Sequence, residues 1–476
     1  MKKLIKLFLL AIFFVHVNKL IGQKPPREMP FLIFKKGMLT ISENGKYIKK
    51  YEKPFLYSAF TMWNFLYEFD LNKSLHFIEI IKNKGFNVFQ FSILPTDEPL
   101  YFHSPFIEGN MLKPDSTFFN FLDTIIKFAN DKDLVLALSL YWNTNDKIIE
   151  NKYVNNKLSI SSAFKYAQWM AQRYKEYPNI IWIVGGNAII NEETYPIWEA
   201  MGSGLRSADN EHLITFLGFE GQTSVKYSSS SWLSFNSINA VTSKIDFNKL
   251  ELLFMDLKNQ KPEKPIMILN LPCEYPNMQK NNDSIYIKSD GIKYNIWQFF
   301  LGAAGINYSI CKNICKNNEL INYIISNNNL DSLIYLIKSR PWYTKEYSNN
   351  ILNNANLSTE KRQIAIKGDG FCMVYLPEGG EVEINLKKVS ISNDIIIYWF
   401  KLLEGKIVKI DTLKSFNKKI NKFITPSSGS GNDYILLIDD LRKNFPFPGS
   451  KEYEPVIIDM NKRNMKPRIE KSQPLY

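Results

Sequence analysis

The sequence predicts an α/β protein: a (β/α)8 TIM barrel followed by a small antiparallel β-sandwich. Strand-like and helix-like segments alternate about eight times up to residue 345, which suits a (β/α)8 barrel better than an open doubly wound sheet. The stretch Tyr177-Pro178-Asn179-Ile180-Ile181-Trp182-Ile183-Val184-Gly185-Gly186-Asn187 holds an apolar run without alternation, as expected of a parallel strand covered on both faces. Beyond the Asn-rich stretch 348–356, short runs of β-branched and aromatic residues are separated by glycine-containing turns.

In order, residues 55–60 predict a strand, 72–84 a helix closed by Gly85, and 86–93 the next strand. Residues 115–131 predict a helix capped by Asp115, 134–142 a third strand ending in aromatics, and 161–176 a helix. The strand 179–184 follows, with Gly185 and Gly186 permitting a sharp turn at its carboxyl end, where ligands sit in parallel α/β folds. Helix 195–206, strand 213–219, a weaker strand 232–238 and helix 248–258 come next, then strand 265–271, helix 292–301, strand 306–310 and helix 330–338. No Gly-x-Gly-x-x-Gly follows the first strand, which argues against a dinucleotide fold, and no cofactor is expected. The sandwich strands are 372–375, 382–386, 395–400 and 434–438.

The 476 residues are 45% hydrophobic and 14% aromatic, enough to bury a large core in two domains. Residues 1–22 read as a signal peptide, with lysines at 2, 3 and 6 preceding the largely apolar run 7–17. A secreted, periplasmic or cell-surface location is therefore expected. No cysteine at its end suggests a lipid anchor, and no later segment is long and apolar enough for a membrane span. Removing Lys2, Lys3, Lys6 and Lys19 lowers the net charge from +12 to +8. The remaining lysines are dispersed without long basic blocks, which excludes nucleic acid as the expected partner. The four cysteines, Cys273, Cys311, Cys315 and Cys372, do not form a disulfide scaffold, and with four histidines in the chain no metal site is expected. Pairing and oligomeric state stay open.

Several motifs carry a resemblance. Trp63-Asn64, Lys84-Gly85-Phe86-Asn87-Val88, Tyr177 to Gly186, Trp232-Leu233-Ser234-Phe235-Asn236, Gly302-Ala303-Ala304-Gly305 and Ser339-Arg340-Pro341-Trp342-Tyr343 together resemble a family of exported bacterial (β/α)8 glycoside hydrolases that includes the family 140 apiosidases. Trp399-Phe400 and Gly431-Asn432-Asp433-Tyr434 to Asp440 are similar to that family's small C-terminal β domain, which carries a collagen-binding label. The resemblance spans about residue 30 to 441. It implies a barrel at 30–345, a β-sandwich at 358–441, a tail at 442–476, and a polysaccharide or glycan as partner.

The chain departs from this pattern at strand ends. Asn187 stands where the family has the aspartate expected to be the acid/base, Phe60 and Ser234 replace two further aspartates, and Ile306 replaces a histidine. The expected nucleophile glutamate aligns with Leu271, and a shift of three residues offers Glu274 instead. Usual glycoside hydrolysis needs two carboxyl groups, about 5–5.5 Å apart for retention or about 6.5–9.5 Å for inversion. An amide cannot protonate a leaving oxygen, although it can bind a sugar hydroxyl.

Two expectations follow. In one, the protein hydrolyses glycosidic bonds with Glu274 and another rim acid, Glu220, alongside Asn187. In the other, a catalytically silent barrel binds glycan or a protein partner. Trp63, Asn64, Tyr141, Trp142, Asn143 and Asn236, at or near predicted strand ends, are the candidate substrate-binding residues.

Overall fold

The computed structural model describes residues 37–98, 100–101, 103–145, 149–155, 157–241, 246–272, 288–309, 321–322, 324–325, 329–353, 361–414, 420–450 and 453. Residues 1–22, read above as a signal peptide, Cys273, Cys311, Cys315, Glu274 and most of the predicted tail lie outside them. The described chain opens with an antiparallel meander of β1 (Leu39–Ile41), β2 (Ile48–Lys50) and β3 (Lys53–Phe55). The predicted first strand splits here, because Phe55 ends β3 and β4 (Tyr57–Thr61) begins the parallel sheet.

Parallel strands and helices then alternate: α1 (Leu71–Asn83), β5 (Val88–Ser92), α2 (Ser116–Asp131), β6 (Val135–Ser139), α3 (Ile160–Tyr174), β7 (Ile180–Ala188), α4 (Tyr195–Ala208) and β8 (Leu213–Gly218). After them come β9 (Asn236–Asn239), α5 (Phe247–Lys258), β10 (Ile266–Asn270), α6 (Lys288–Leu301), β11 (Gly305–Ser309) and α7 (Asn329–Lys338). Short polar side chains start the helices. Asp70 accepts from Lys73 N and Asp115 from Phe118 N, and Ser159 forms a reciprocal capping box with Ser162. Each satisfies an amide that the first turn leaves without a partner.

Six of these strands form one curled parallel sheet in the order β11-β4-β5-β6-β7-β8, and β9 and β10 form a separate parallel pair. Side chains bridge the two breaks. Between β8 and β9, Thr215 Oγ1 donates to Phe235 O at 2.9 Å, Asn239 Nδ2 donates to Gly218 O at 2.9 Å, and Ser237 donates to Phe216 O. Between β10 and β11, Asn307 Nδ2 donates to Leu269 O at 2.8 Å. Inside, Tyr57 OH donates to Gln90 Oε1 (2.8 Å), Gln90 Nε2 to Thr61 Oγ1 (2.5 Å) and Thr61 Oγ1 to Asn307 Oδ1 (2.6 Å). This buried chain satisfies every polar group it contains and ties β4, β5 and β11 together, as a buried polar network must.

The weaker predicted strand 232–238 shrinks to β9. Residues 232–235 are not strand, because Trp232 is buried against Gly202 of α4, where any side chain would collide with the indole.

The C-terminal part contains β12 (Glu346–Tyr347), β13 (Ile364–Gly368), β14 (Phe371–Leu376), β15 (Gly379–Asn385), β16 (Ile395–Lys401), β17 (Lys406–Leu413), β18 (Ile420–Ser428) and β19 (Tyr434–Asp440). Six form an antiparallel sheet in the order β12-β13-β14-β19-β16-β17, and β15 pairs with β18. Because strand side chains alternate, the six-stranded sheet presents two apolar faces. Phe371, Met373, Tyr375, Ile435 and Leu437 join the core of the α/β part, whereas Cys372, Val374, Leu436 and Ile438 pack with Val382 and Ile384 of β15. The sheet is thus the middle layer between the α/β part and the β15–β18 pair.

Arg340, directly after α7, anchors this contact. Its guanidinium is fully buried and donates to Asp439 of β19 through Nε at 3.0 Å and Nη2 at 2.5 Å, while Nη1 donates to Ser339 O at 2.7 Å and Pro446 O at 2.9 Å. The Phe445 ring lies 5.1 Å away. Removing one member of such a pair leaves a buried charge without its partner, so Arg340→Ala or Asp439→Ala should destabilise by about 3–5 kcal/mol. The joint replacement Arg340→Met with Asp439→Leu should recover much of that loss. Denaturant unfolding of the three variants checks this, and additive losses in the double variant would contradict a paired role.

Candidate functional site at the carboxyl ends of the strands

Strand β7 ends in an unusual backbone. Gly185, Gly186 and Asn187 all have positive φ (75°, 140° and 51°), and the pairing with β8 jumps from Gly185–Leu217 to Ala188–Gly218. Gly186 and Asn187 are therefore extruded from the ladder as a bulge. A Cβ at Gly186 would lie 2.0 Å from Tyr141 O and 2.5 Å from Ser139 Oγ, so only glycine fits. The neighbouring β6 end grips the bulge. Ser139 Oγ lies 2.7 Å from Gly185 O, and Asn143 N donates to Gly186 O at 2.8 Å. Asparagine tolerates the left-handed conformation through which Asn187 is presented. Its side chain is half-buried, and among the described residues no hydrogen bond engages its amide.

Two tryptophans stand beside this bulge. The Trp63 and Trp142 rings are 4.9 Å apart at 42°, and Trp63 Nε1 donates to Asn270 Oδ1 at 2.9 Å, which links the β4 and β10 ends. Trp63 remains half-buried, so part of its ring is open to a ligand. Asn143 follows Trp142, and its side chain accepts from Glu150 N at 2.7 Å and donates to Asn145 O. The structure thus brings Trp63, Trp142, Asn143 and Asn187 together at the strand ends.

The remaining predicted residues sit elsewhere. Asn64 is buried and clamps two loops, donating to Glu68 Oε1 at 2.7 Å and Asp97 Oδ1 at 3.1 Å and accepting from Thr96 N. Tyr141 is buried with its ring 5.7 Å from Trp198, and burial pushes its phenol well above the ordinary range. Asn236 is fully buried at the start of β9 and accepts from Ser224 Oγ at 3.0 Å. Glu220 is exposed on the loop after β8, beside Gly221, whose N–H donates to Asn239 O at 2.9 Å. Sequence reasoning missed Asn239 and Asn270, the rim amides at the ends of β9 and β10. For Asn270 the signal was a single polar residue closing the apolar run of β10, whereas β9, Asn-Ser-Ile-Asn, offered no such contrast.

No Asp or Glu occurs in any of the eight parallel strands, all of which are described in full. Their polar positions hold amides and hydroxyls: Ser58, Thr61, Gln90, Ser92, Ser139, Asn187, Thr215, Asn236, Ser237, Asn239, Asn270, Asn307 and Ser309 among them. Among the described acids of the loops that follow these strands, Asp97, Glu98, Glu150, Glu192, Glu193 and Glu220 are exposed, whereas Glu68, on the β4–α1 loop, is buried and accepts from Asn64 Nδ2.

Behind the bulge, the outward side chain of β7, Trp182, is fully buried and donates Nε1 to Asp209 Oδ2 at 3.0 Å. The His212 ring bridges Asp209 Oδ2 (Nδ1, 2.5 Å) and Tyr177 O (Nε2, 2.7 Å). Burial raises the Asp209 carboxyl, but His212 and Trp182 outweigh it and hold the group below the usual carboxylate range. This network fixes the amino end of β7, so Trp182 serves the core and not the mouth.

Residues 42–344 match the family described as "Apiosidase-like, catalytic domain". The chain belongs to the apiosidase-like family. Residues 348–439 match the description "Putative collagen-binding domain of a collagenase". A solved structure described as a glycoside hydrolase is 22% identical with a TM-score of 0.72, covering 86% of this chain and 98% of its own. A glycoside hydrolase family 5 structure from Bacteroides vulgatus ATCC 8482 is 21% identical with a TM-score of 0.74, covering 88% and 97%. At such identity the likeness establishes a shared glycoside-hydrolase fold. No curated protein matches at a significant level.

In this apiosidase-like site the bulge sets the geometry. Gly186→Ala should cost about 2–4 kcal/mol, since backbone oxygen and not a flexible side chain blocks its Cβ. Asn187→Ala should cost about 1–2 kcal/mol and Asn187→Gly close to nothing, because only the former opposes the left-handed backbone. Thermal or denaturant unfolding of the three variants checks the ranking, and equal losses for the two Asn187 variants would contradict it.

Proposed function

We propose that this apiosidase-like protein is exported and binds a polysaccharide at its barrel mouth without cleaving it by the two-carboxylate route. The observation that carries this reading is that all eight parallel strands lack a carboxylate, while the bulge after β7 presents an amide. Loss of general acid catalysis alone costs roughly 10²–10⁴-fold, and a missing second carboxylate removes the remaining route. What the mouth retains suits binding: the Trp63 face for a sugar ring, and the Asn187 amide to donate and accept hydrogen bonds with hydroxyls. We read the six-stranded sheet and the β9–β10 pair as one eight-stranded barrel, a reading supported by the side-chain bonds across both breaks. In support of carbohydrate as the ligand stand the family match and the fold it shares with glycoside hydrolases. No described helix is long and apolar enough to cross a membrane.

A second reading keeps hydrolysis, with Glu274 as one carboxylate and Glu220 as the other. It is favoured by the position of Glu274, four residues beyond Asn270 at the end of β10, near where the family resemblance expects a nucleophile.

Calorimetry against a panel of plant and host polysaccharides, with product analysis of each mixture, separates the two. Binding is expected to at least one glycan, weakened tenfold or more by Trp63→Ala, with no new reducing ends. Release of sugar that disappears in Glu274→Gln would establish the second reading instead.

A further inference from the structure

At the opposite end of the barrel, a cavity of about 350 Å³ lies between the amino ends of the strands and the linker to the C-terminal sheet. Its walls come from three places. Lys46 and Tyr47 belong to the β1–β2 turn, Lys258 and Lys264 flank the entry to β10, and Trp342, Tyr343 and Lys345 belong to the linker. Four lysines therefore converge, and the two carboxylates on the lining, Glu263 and Glu346, are both exposed.

The ammonium groups are held in place by groups that do not neutralise them. Lys345 Nζ donates to Ala303 O at 2.8 Å and lies 4.4 Å from the Phe299 ring centroid. Lys264 Nζ donates to Ser228 O at 2.8 Å, and Lys258 Nζ lies 6.0 Å from the Tyr347 ring. Among the described residues none of these lysines has a carboxylate within ion-pair distance. Glu251, the other acid nearby, is taken up by Tyr347 OH at 2.6 Å and Arg362 at 3.4 Å. A side chain at Gly302 would put its Cβ 3.0 Å from Lys258 Nζ, so the glycine keeps the space around that ammonium open. Burial, with the charge of Lys258 adding to it, pushes Lys345 down to about 7, and burial lowers Lys258 as well, against the attraction of Glu263 and Glu251. Like charges gathered at one cavity repel, and an anion between them relieves the repulsion.

We infer that this basal cavity is a binding site for a small oxyanion, seated between Lys258 and Lys345 with Lys264 and Lys46 at its edges. Each ammonium keeps N–H donors beyond its protein contacts, and the tetrahedral or planar oxygens of a phosphate, sulfate or carboxylate group accept them. The aromatic wall of Tyr47, Trp342 and Tyr343, with neighbouring ring centroids 5.6–6.2 Å apart, leaves one side apolar, so the group can be carried on a small organic body. The site is separate from the barrel mouth and does not depend on the function proposed for it.

The test titrates the full-length protein with inorganic phosphate, sulfate and glucuronate in separate arms, at ionic strength held constant with sodium chloride, followed by calorimetry and by thermal unfolding. At least one arm is expected to bind saturably, near millimolar or tighter. That affinity should fall tenfold or more in both Lys345→Met and Lys258→Met and stay unchanged in Lys127→Met on the exposed face of α2. Whichever arm binds tightest identifies the carrier of the oxyanion. Unfolding in chloride alone confirms that each variant is folded, and Lys258→Gln replaces any that is not. Absence of saturable binding in all three arms, or binding equal in wild type and both cavity variants, overturns the inference.

Discussion

The local constraint on which the candidate site depends is the run of three left-handed residues at the end of β7. The ladder with β8 pairs Gly185 with Leu217 and resumes at Ala188, so Gly186 and Asn187 bulge out of the sheet at the carboxyl end of β7. The hydrogen bonds that hold the bulge reach its backbone from β6 and its following loop, through the Ser139 hydroxyl and the Asn143 N–H, and Tyr141 O leaves no room for a side chain at Gly186. Such a device is indifferent to whether residue 187 is an acid or an amide, because both tolerate the conformation. The fold can therefore keep its site geometry while its chemistry changes. The function proposed above uses this separation: the same backbone can present amides and hydroxyls at its strand ends.

The same separation between scaffold and chemistry appears at larger scale. The six-stranded C-terminal sheet is not an appended module with a free inner face. Its Phe371, Met373 and Tyr375 side chains extend the core of the α/β part, and the Arg340–Asp439 pair sits within that contact. Burial raises the Asp439 carboxyl while Arg340 opposes it, leaving the group pushed up to about 6. The pairing thus gives the interface a defined geometry more than a large net stabilisation, since desolvation of two charges offsets most of their attraction.

Much of the fold was legible in the sequence because periodicity reports burial. The continuous apolar run in β7 and the Asp115 cap of α2 each had a local cause that tertiary packing did not override. The strands that escaped notice had weaker signals. β17, Lys406–Leu413, is mostly exposed and alternates charged with apolar residues, and β13 contributes a short run to a buried sheet position. At the site, Asn187 and the two tryptophans could be found from strand ends and glycine turns. Asn64 could not be told from a ligand-binding amide, because its partners Glu68, Thr96 and Asp97 come together only through loop packing. Asn236 likewise belongs to the interior, since β9 begins there and the loop carrying Ser224 folds back to meet it.

The claim that the mouth lacks a working pair of carboxylates is tested most directly by restoring one of them. Asn187→Asp places an acid on the existing bulge without altering its backbone, and product release from a glycan that binds the protein can then be followed for both forms over long incubation. No turnover above background is expected in either, because one carboxyl group does not complete the reaction. A gain of 10²-fold or more in the Asn187→Asp protein would reveal a second carboxylate in working position and contradict that claim.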